Sequence, residues 1–462
     1  MKNRILVSAT PEEISMALVL DGCLYEYVLE RENKEHIVGN IFKGRVKNLL
    51  KGIQSAFIDV GRDKNVFFYN NDKTSLHEGQ TMLVQVIKDA MGSKGPRAGS
   101  QISLAGRYAV YLPDADYIGI SKNIQDEEER AKLKEIVEKN RPPGSGIIVR
   151  TVALGCSEDE LKKDIEYLAG LWQSIATRAK RTEAPALLYR EVDLPIRIVR
   201  DYLNASIDEL VIDDKETFNK MKELVSFSYP NYQGEIILYK QNENIFRHYD
   251  VDTQIANLNI RKVPLSCGGY LVFDYTEALT VIDVNTGSYK GENSLEDTAF
   301  FTNMQAVAEI ARQIRLRDLG GIIIIDFIDM ADPENKKKIV ESLEQAMVKD
   351  KMKPRVLGIT ALGLVEMTRK KTRQNTAAAL FSECPVCDGS GYVKSPETVC
   401  VEIRRKLREM KNSRPVLIKA HPMVAEWFIS HELENLPRDK KIKMQAVEGM
   451  HPEVFTLLDA GV

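Results

Sequence analysis

The chain has 462 residues, 44% of them hydrophobic and 28% charged, enough to bury a sizeable core and to set a prior of about three domains. Its net charge of −3 excludes a global polycation, so any nucleic-acid binding has to come from local patches. No apolar run approaches the roughly 18 residues that span a bilayer, the N-terminal stretch lacks a charged-then-apolar signal pattern, and six scattered cysteines argue against a disulfide framework. Together these read as a soluble, cytoplasmic protein.

Residues 1–36 open with the strand-like Ile5-Leu-Val-Ser and continue as two apolar runs around Asp21-Gly22, a dipeptide favoured in tight hairpins. Cys23 in this stretch reads as a small core residue. From 37 to 113 short strands are broken by glycines, and Phe42-Lys-Gly-Arg-Val46, Ala56-Phe57-Ile-Asp-Val-Gly61 and Val66-Phe67-Phe68 interleave aromatics with cations. Aromatics on the basic face of a small barrel are how oligonucleotide-binding folds stack unpaired bases. Cations cluster at Lys43, Arg45, Lys47 and Lys51, at Lys88, Lys94, Arg97 and Arg107, and at Arg369, Lys370, Lys371 and Arg373; each cluster alone is more often a solvated face.

Residues 114–192 begin with a charged helix, Asp126 to Lys139, followed by Ile147-Ile-Val-Arg150-Thr151 and a helix capped by Ser157 and Glu160. Leu161, Ile165, Leu168, Trp172 and Ile175 line one face of that helix, which makes Trp172 a core residue. Residues 193–260 read as scaffold, with a helix over 216–225 and a strand at Glu235-Ile-Ile-Leu-Tyr239.

The stretch 261–381 carries the chemistry. Ala-Leu-Thr-Val-Ile-Asp283-Val-Asn285-Thr-Gly287 and Gly320-Gly321-Ile-Ile-Ile-Ile-Asp326 are both apolar runs that end in a carboxylate. Such runs closed by turns read as buried strands, whose ends lie at the sheet rim where ligand sites form. Asp283 and Asn285, two apart, point the same way in extended backbone, and an oxygen-rich set of this kind suits Mg²⁺. A helix beginning at Ser294 and Asp297 joins the two strands, making an α/β unit. The bland reading is a turn at Asp283 and a helix cap at Asp326.

Taken with Asp297-Thr-Ala-Phe300-Phe-Thr-Asn303 and Ala311-Arg-Gln-Ile-Arg-Leu-Arg-Asp-Leu-Gly-Gly, the Asp-Val-Asn and Ile-Asp326-Phe-Ile-Asp-Met segments resemble the catalytic core of the ribonuclease E/G endoribonucleases, and the likeness runs along essentially the whole chain. The resemblance implies a multidomain α/β fold: a ribonuclease-H-like scaffold in two parts (1–36 and 193–260), an inserted S1 barrel of the OB type (37–113), a 5′-phosphate sensor region (114–192), a DNase-I-like catalytic domain (261–381), a zinc link (382–394) and a small α/β oligomerisation domain (395–462). It implies that Asp283 and Asp326 hold a catalytic Mg²⁺ and that Asn285 assists at the scissile phosphate. Arg150 and Thr151 match a pocket for an RNA 5′-monophosphate, where a guanidinium fork and a hydroxyl suit a terminal phosphate. Lys353 stands where relatives often place an arginine beside that pocket. Phe57, Phe67 and Lys94 match RNA-contacting positions, although Arg97-Ala-Gly-Ser-Gln101 departs from the family's usual leucine-threonine run.

Cys384-Pro-Val-Cys387 is half of a tetrahedral zinc site; Cys400, inside an expected helix, is a possible third ligand. A second protomer completes the site more simply, and in the resembled family this block is a Zn²⁺ link joining two chains. The partners implied are single-stranded RNA, from rRNA precursors and mRNA, and a second copy in a homodimer or tetramer. Two rivals stand beside this reading: a non-catalytic S1-type RNA-binding protein, and a zinc-dependent redox or chaperone module. A nucleotide-driven motor is excluded by the missing P-loop.

Overall fold

The computed structural model describes residues 2–31, 37–70, 75–90, 94–276, 278–289, 294–348, 350–371, 375–410, 415–431 and 441–459. The chain forms two compact units, Met1–Leu380 and Phe381–Val462.

In the first unit, β1 (Arg4–Ala9), β2 (Glu13–Leu20) and β3 (Cys23–Arg31) make an antiparallel meander. Asp21 and Gly22 turn the β2–β3 hairpin with φ of 49° and 80°, the left-handed pair that a two-residue hairpin needs. Cys23 is exposed rather than in the core, because it sits at the mouth of that hairpin. Next, β4 (Ile41–Leu50), β5 (Ser55–Asp59), β6 (Val66–Tyr69), β7 (Thr81–Lys88) and β8 (Arg97–Gly99) close into a barrel in the order β4-β5-β6-β8-β7, sealed by β4 on β7. Alternation puts Val46, Ile58, Val66, Phe68 and Val84 inside it.

A second sheet follows, built from β9 (Leu104–Ala105), β10 (Ala109–Leu112), β11 (Ile118–Ile120), helix α1 (Glu127–Asn140) and β12 (Gly146–Val149). Helix α2 (Glu158–Arg181) covers it. Ser157 and Glu160 form the capping box at its start, and Leu161, Ile165, Leu168 and Ile175 are buried with Trp172 packed at their margin. Strand β13 (Ala186–Tyr189) returns to the free edge of β4. After α3 (Leu194–Asp201), strand β14 (Glu209–Ile212) rejoins β1 in parallel, and beyond α4 (Lys215–Ser228) strand β15 (Glu235–Leu238) extends the same sheet. The barrel and second sheet are thus an insertion into the first sheet, between β3 and β14.

Short helices α5 (Ile245–His248) and α6 (Asp252–Ala256) lead to a third sheet: β16 (Lys262–Pro264), β17 (Tyr270–Tyr275), β18 (Leu279–Asn285), α7 (Leu295–Leu316), β19 (Gly321–Asp326), α8 (Pro333–Met347), β20 (Arg355–Ile359) and β21 (Val365–Arg369). The strand order is β16-β17-β18-β19-β21-β20. Strands β18 and β19 are parallel, with α7 as their crossover, as the strand–helix–strand pattern requires. Leu271, Phe273, Ile282, Val284, Ile323 and Ile325 point to one face and are buried with Val307, Ile310 and Ile314 of α7 and Ile339 and Leu343 of α8. The opposite face carries Tyr270, Asp283, Asn285 and Asp326 together with Val272, Val281, Ile322 and Ile324. Helix α9 (Thr376–Leu380) ends the unit.

The second unit packs α10 (Pro396–Glu409) and α11 (Pro422–Ser430) on a sheet of β22 (Val416–Ala420), β23 (Ile442–Ala446) and β24 (Phe455–Asp459), ordered β23-β22-β24. Cys400 belongs to its apolar core beside Ile403 and Phe428, with its thiol donating to the Val424 carbonyl at 3.5 Å. Burial pushes that thiol up to about 11, so Cys400 is a structural core residue and not a third metal ligand. Among the described residues no helix is long and apolar enough to cross a membrane.

Candidate active site

Strands β18 and β19 bring the two carboxylates together by register. Asp283 and Asp326 are directly paired residues of the parallel ladder, on strands about 4.8 Å apart, and both project from the face that α7 leaves uncovered. Two residues along β18, Asn285 donates from Nδ2 to the Asp283 carboxylate at 2.8 Å. Burial raises the Asp326 carboxyl above its ordinary pKa, and the negative charges of Asp283 and Asp329 push the same way. Like charges on paired residues, with no neutralising side chain among the described residues, make a site that favours a cation.

The turn after β18 needs its glycine. Gly287 has φ of +58°, and a Cβ there would collide with the Gly268 carbonyl oxygen.

Helix α7 then fixes the loop after β19 from two directions. Asn303, fully buried, donates from Nδ2 to the Ile328 carbonyl at 2.8 Å and accepts from the Ile328 N–H at 3.0 Å. In the first turn of α7, Glu296 accepts from the N–H groups of Ala331 and Asp332 and from Asn335 Nδ2. The Asn335 amide and the Ala331 N–H hold its carboxyl below the usual range. The peptide segment that follows Asp326 and contains Asp329 is therefore pinned by a helix rather than left as a free loop. Asn303→Ala would unpin Ile328 and take from its part-buried N–H and carbonyl the side-chain partner they share. The expected result is a fall of roughly ten- to a hundredfold in kcat with KM little changed, since a misplaced carboxylate costs alignment more than binding; Asn303→Asp should recover only the accepting half. Steady-state kinetics on an RNA oligonucleotide check it, and a wild-type kcat in Asn303→Ala would show the clamp to be dispensable.

Arg150 follows β12 directly and Thr151 begins the single 3-10 turn after it. Arg150 donates to the Gly106 carbonyl and to Asp201 Oδ1, both at 2.6 Å, and Thr151 Oγ1 lies 2.7 Å from Ser121 Oγ. Burial alone would raise the Asp201 carboxyl, but the Arg200 and Arg150 guanidinium groups hold it below its ordinary value. Arg200 also pairs with Glu191 at 2.8 Å. The guanidinium proposed for the terminal phosphate is thus already oriented by a carboxylate. Lys353 lies in the turn between α8 and β20 with φ of +48°, but it is Lys351 of that turn whose ammonium stands 3.1 Å from the ring centroid of Tyr202, the residue after Asp201.

On the barrel, Phe57 and Phe67 are register partners, half-buried, with ring centroids 5.8 Å apart in an edge-to-face contact. Lys94 is exposed. The cation clusters dissolve on inspection of their partners. Lys43 donates to the carbonyls of Ala179 and Thr182, and Arg45 to that of Ala184, so both tie β4 to the C-terminal end of α2. Arg107 is buried against α3, donating to the Val199 and Leu203 carbonyls, and Arg369 is buried between Asp318 and Asp350. Lys47 remains at the surface, 3.5 Å from Asp59, Lys88 is half-buried, and Arg97 is half-buried with its guanidinium 5.9 Å from the Tyr69 ring centroid; Arg373 and the Lys51 side chain lie outside the described residues.

In the second unit the N–H groups of Val386 and then Cys387 hold the Cys384 thiol below its ordinary pKa, the chemistry of a thiolate ligand. His451 Nε2 meets the Val386 carbonyl at 2.7 Å. Among the described residues there is no cluster of three or more His, Cys, Asp or Glu able to hold a metal. Two carboxylates with a carboxamide still suit Mg²⁺, which keeps several waters and takes substrate oxygens, and two thiolates suit half of a zinc site.

A closed five-strand barrel consistent with the oligonucleotide-binding type, in one unit with a sheet that presents paired carboxylates, fits the class of nucleic-acid hydrolases. The profile described as "Ribonuclease E/G family" matches residues 103–372. Ribonuclease G of Haemophilus influenzae is 39% identical over 98% of this chain and 99% of its own length, and ribonuclease G of Escherichia coli is 39% identical over 99% and 100%. Ribonuclease E of Haemophilus influenzae is 33% identical over 99% of this chain, which spans 52% of that longer protein. The chain belongs to the ribonuclease E/G family, and it is an endoribonuclease.

Proposed function

We propose that the chain is a Mg²⁺-dependent endoribonuclease that cuts single-stranded RNA in rRNA processing and mRNA decay, leaving 5′-phosphate and 3′-hydroxyl ends and preferring 5′-monophosphorylated substrates. The observation that carries this reading is the register pairing of Asp283 with Asp326, with Asn285 bonded to the first. Bound there, Mg²⁺ would supply Lewis-acid polarisation of a phosphate oxygen and a more acidic water. Asp283 and Asp326, paired on adjacent strands, would hold the ion. Asn285 keeps the Asp283 carboxylate turned toward Asp326 and presents its amide to the phosphate. Asn303 and Glu296 keep the Asp326 loop from relaxing away. No histidine occurs between 249 and 420, so this catalytic segment offers no imidazole acid–base pair of the kind that forms cyclic phosphates.

The other parts serve delivery. Phe57 and Phe67 offer ring edges and faces to unpaired bases and Lys94 a cation to the backbone, on a barrel of the S1 type. Arg150 and Thr151 take the 5′-monophosphate, Arg150 being held ready by Asp201. The ribonuclease-H-like and DNase-I-like domain assignments, and a homodimer joined through Cys384 and Cys387 with one Zn²⁺ per two chains, complete the reading, with tetramers as pairs of dimers.

A 5′-monophosphorylated and a 5′-triphosphorylated oligoribonucleotide, incubated in Mg²⁺ or in EDTA, test the whole. Wild type should cut only with Mg²⁺, faster on the monophosphate, and yield 3′-hydroxyl ends. Arg150→Ala should cut both substrates at the same slower rate, losing roughly tenfold on the monophosphate, as expected for one charge-assisted contact. Cutting in EDTA, or products with cyclic phosphates, would reject the assignment. A stoichiometry of one zinc per chain would reject the shared link.

A further inference from the structure

Directly beside the carboxylate pair, on the same open face of the third sheet, lies an aromatic–cation pair to which nothing so far gives a task. Tyr270 on β17 is the register partner of Asn285. One step along, Val272 pairs with Asp283 on one side and with Lys262 of β16 on the other. Lys262, Val272, Asp283 and Asp326 therefore form one row across four strands, and Tyr270 sits next to that row. Alternation settles which face they share: Val263, Leu271 and Phe273 are buried on the α7 side, so Lys262 and Tyr270 project to the side of Asp283 and Asn285.

The pair is ordered by its surroundings. The Lys262 ammonium lies 3.6 Å from the centroid of the Tyr270 ring, and the ring edge rests against Gly287, where a Cβ would lie 3.3 Å from Tyr270 Cδ1. Neighbouring Arg261 is occupied by Asp274 through two bonds of 2.6 and 2.8 Å, whereas no carboxylate pairs with Lys262 among the described residues. Packing alone gives no reason for a lysine on a ring here, since Lys262 is exposed and Tyr270 only half-buried. A backbone phosphate flanking the one under attack gives such a reason. β16 is two strand spacings, about 10 Å, from β18, beyond the repulsion of the acidic pair and within the reach of the adjoining nucleotide.

We infer that Lys262 and Tyr270 form a substrate subsite for the nucleotide next to the scissile phosphate, the ammonium neutralising its phosphate and the ring supporting its base. This rests on the nuclease reading above and adds to it a path for the strand, across β16–β19. Removing Lys262 takes away one phosphate contact, and removing the Tyr270 ring takes away one stacking surface. Both act on binding and on placement, so the loss falls on kcat/KM.

The test measures binding of a single-stranded oligoribonucleotide to Asp326→Asn protein at salt concentrations from about 50 to 200 mM, and kcat/KM in the Asp326 background, for Lys262→Gln, Tyr270→Ala and Tyr270→Phe. Lys262→Gln should reduce the slope of log affinity against log salt by about 0.7, the value for one single-strand phosphate. Tyr270→Ala should weaken binding and kcat/KM about tenfold, with Tyr270→Phe close to wild type; the phenylalanine arm separates loss of the ring from loss of folding. Wild-type slope and kcat/KM in Lys262→Gln together with wild-type kcat/KM in Tyr270→Ala, while Asp326→Asn is inactive, would overturn the subsite and leave the nuclease reading standing. Cleavage by Asp326→Asn itself would overturn both.

Discussion

Asp326→Asn is expected to abolish cleavage while sparing RNA binding. The amide fills the same space at the end of β19, so the pairing with β18 stays, but the change removes one of the two charges that hold the proposed cation. Metal-derived stabilisation of the transition state is worth several kcal/mol, and each 1.36 kcal/mol is a factor of ten, so the single-turnover rate should fall by roughly 10³ or more. Stability should move the other way. In the metal-free protein Asp326 faces Asp283 and Asp329, and its carboxyl is raised by burial and by those two charges. Replacing it with a neutral amide relieves that repulsion, so the metal-free thermal midpoint should hold or rise. Loss of activity with undiminished stability is the mark of a residue kept for chemistry, and a variant cutting within tenfold of wild type would end the proposal.

The same contrast between chemistry and support explains what could be read from residues alone. The ends of β18 and β19 were legible because an apolar run that ends in a carboxylate, with a glycine turn after the first and before the second, states both the strand and its rim. The pairing of Asp283 with Asp326 followed from having one crossover helix, α7, between two buried strands. Helix α2 was legible from its capping box and its stripe of Leu161, Ile165, Leu168 and Ile175, whereas Trp172, expected in the core, is only partly buried at its margin. What supports the site was not. Asn303 reads as an ordinary polar residue in a helix, and its role as a clamp depends on Ile328 arriving twenty-five positions later, just past β19; only its placement about two and a half turns after the cap, on the buried face, could have marked it. Asp201 gives no local sign of holding Arg150, fifty-one positions away. Cation clusters misled for a related reason. Sequence shows that Lys43, Arg45, Arg107 and Arg369 are charged but not what their charges meet. In each case the partner is a helix end or a buried carboxylate supplied by a distant segment.

Arg369 is where that difference has its largest expected cost. The residue is only 6% exposed, and its partners Asp350 and Asp318 only 4% and 8%. The guanidinium donates from Nε to Asp350 at 2.8 Å, and from Nη1 to Asp318 at 2.7 Å and to the Leu319 carbonyl at 2.9 Å. It thereby fastens β21 to the α7–β19 corner and to the turn that follows α8. Arg369→Met keeps the length and the apolar stem but withdraws the guanidinium from two buried carboxylates, and breaking a buried network from one side costs about 3–5 kcal/mol. Chemical denaturation should report a loss of that size in the first unit, with the second unit unaffected. The reverse arm isolates the cause: adding Asp350→Asn to Arg369→Met removes the buried charge that the guanidinium held through Nε and Nη2 and should recover part of the loss, because the penalty lies in uncompensated charge more than in missing contact. If Arg369→Met unfolds within about 1 kcal/mol of wild type, the arginine behaves as the solvated cation its sequence neighbourhood suggests, and β19 owes its placement to the apolar contacts of Ile323 and Ile325 alone.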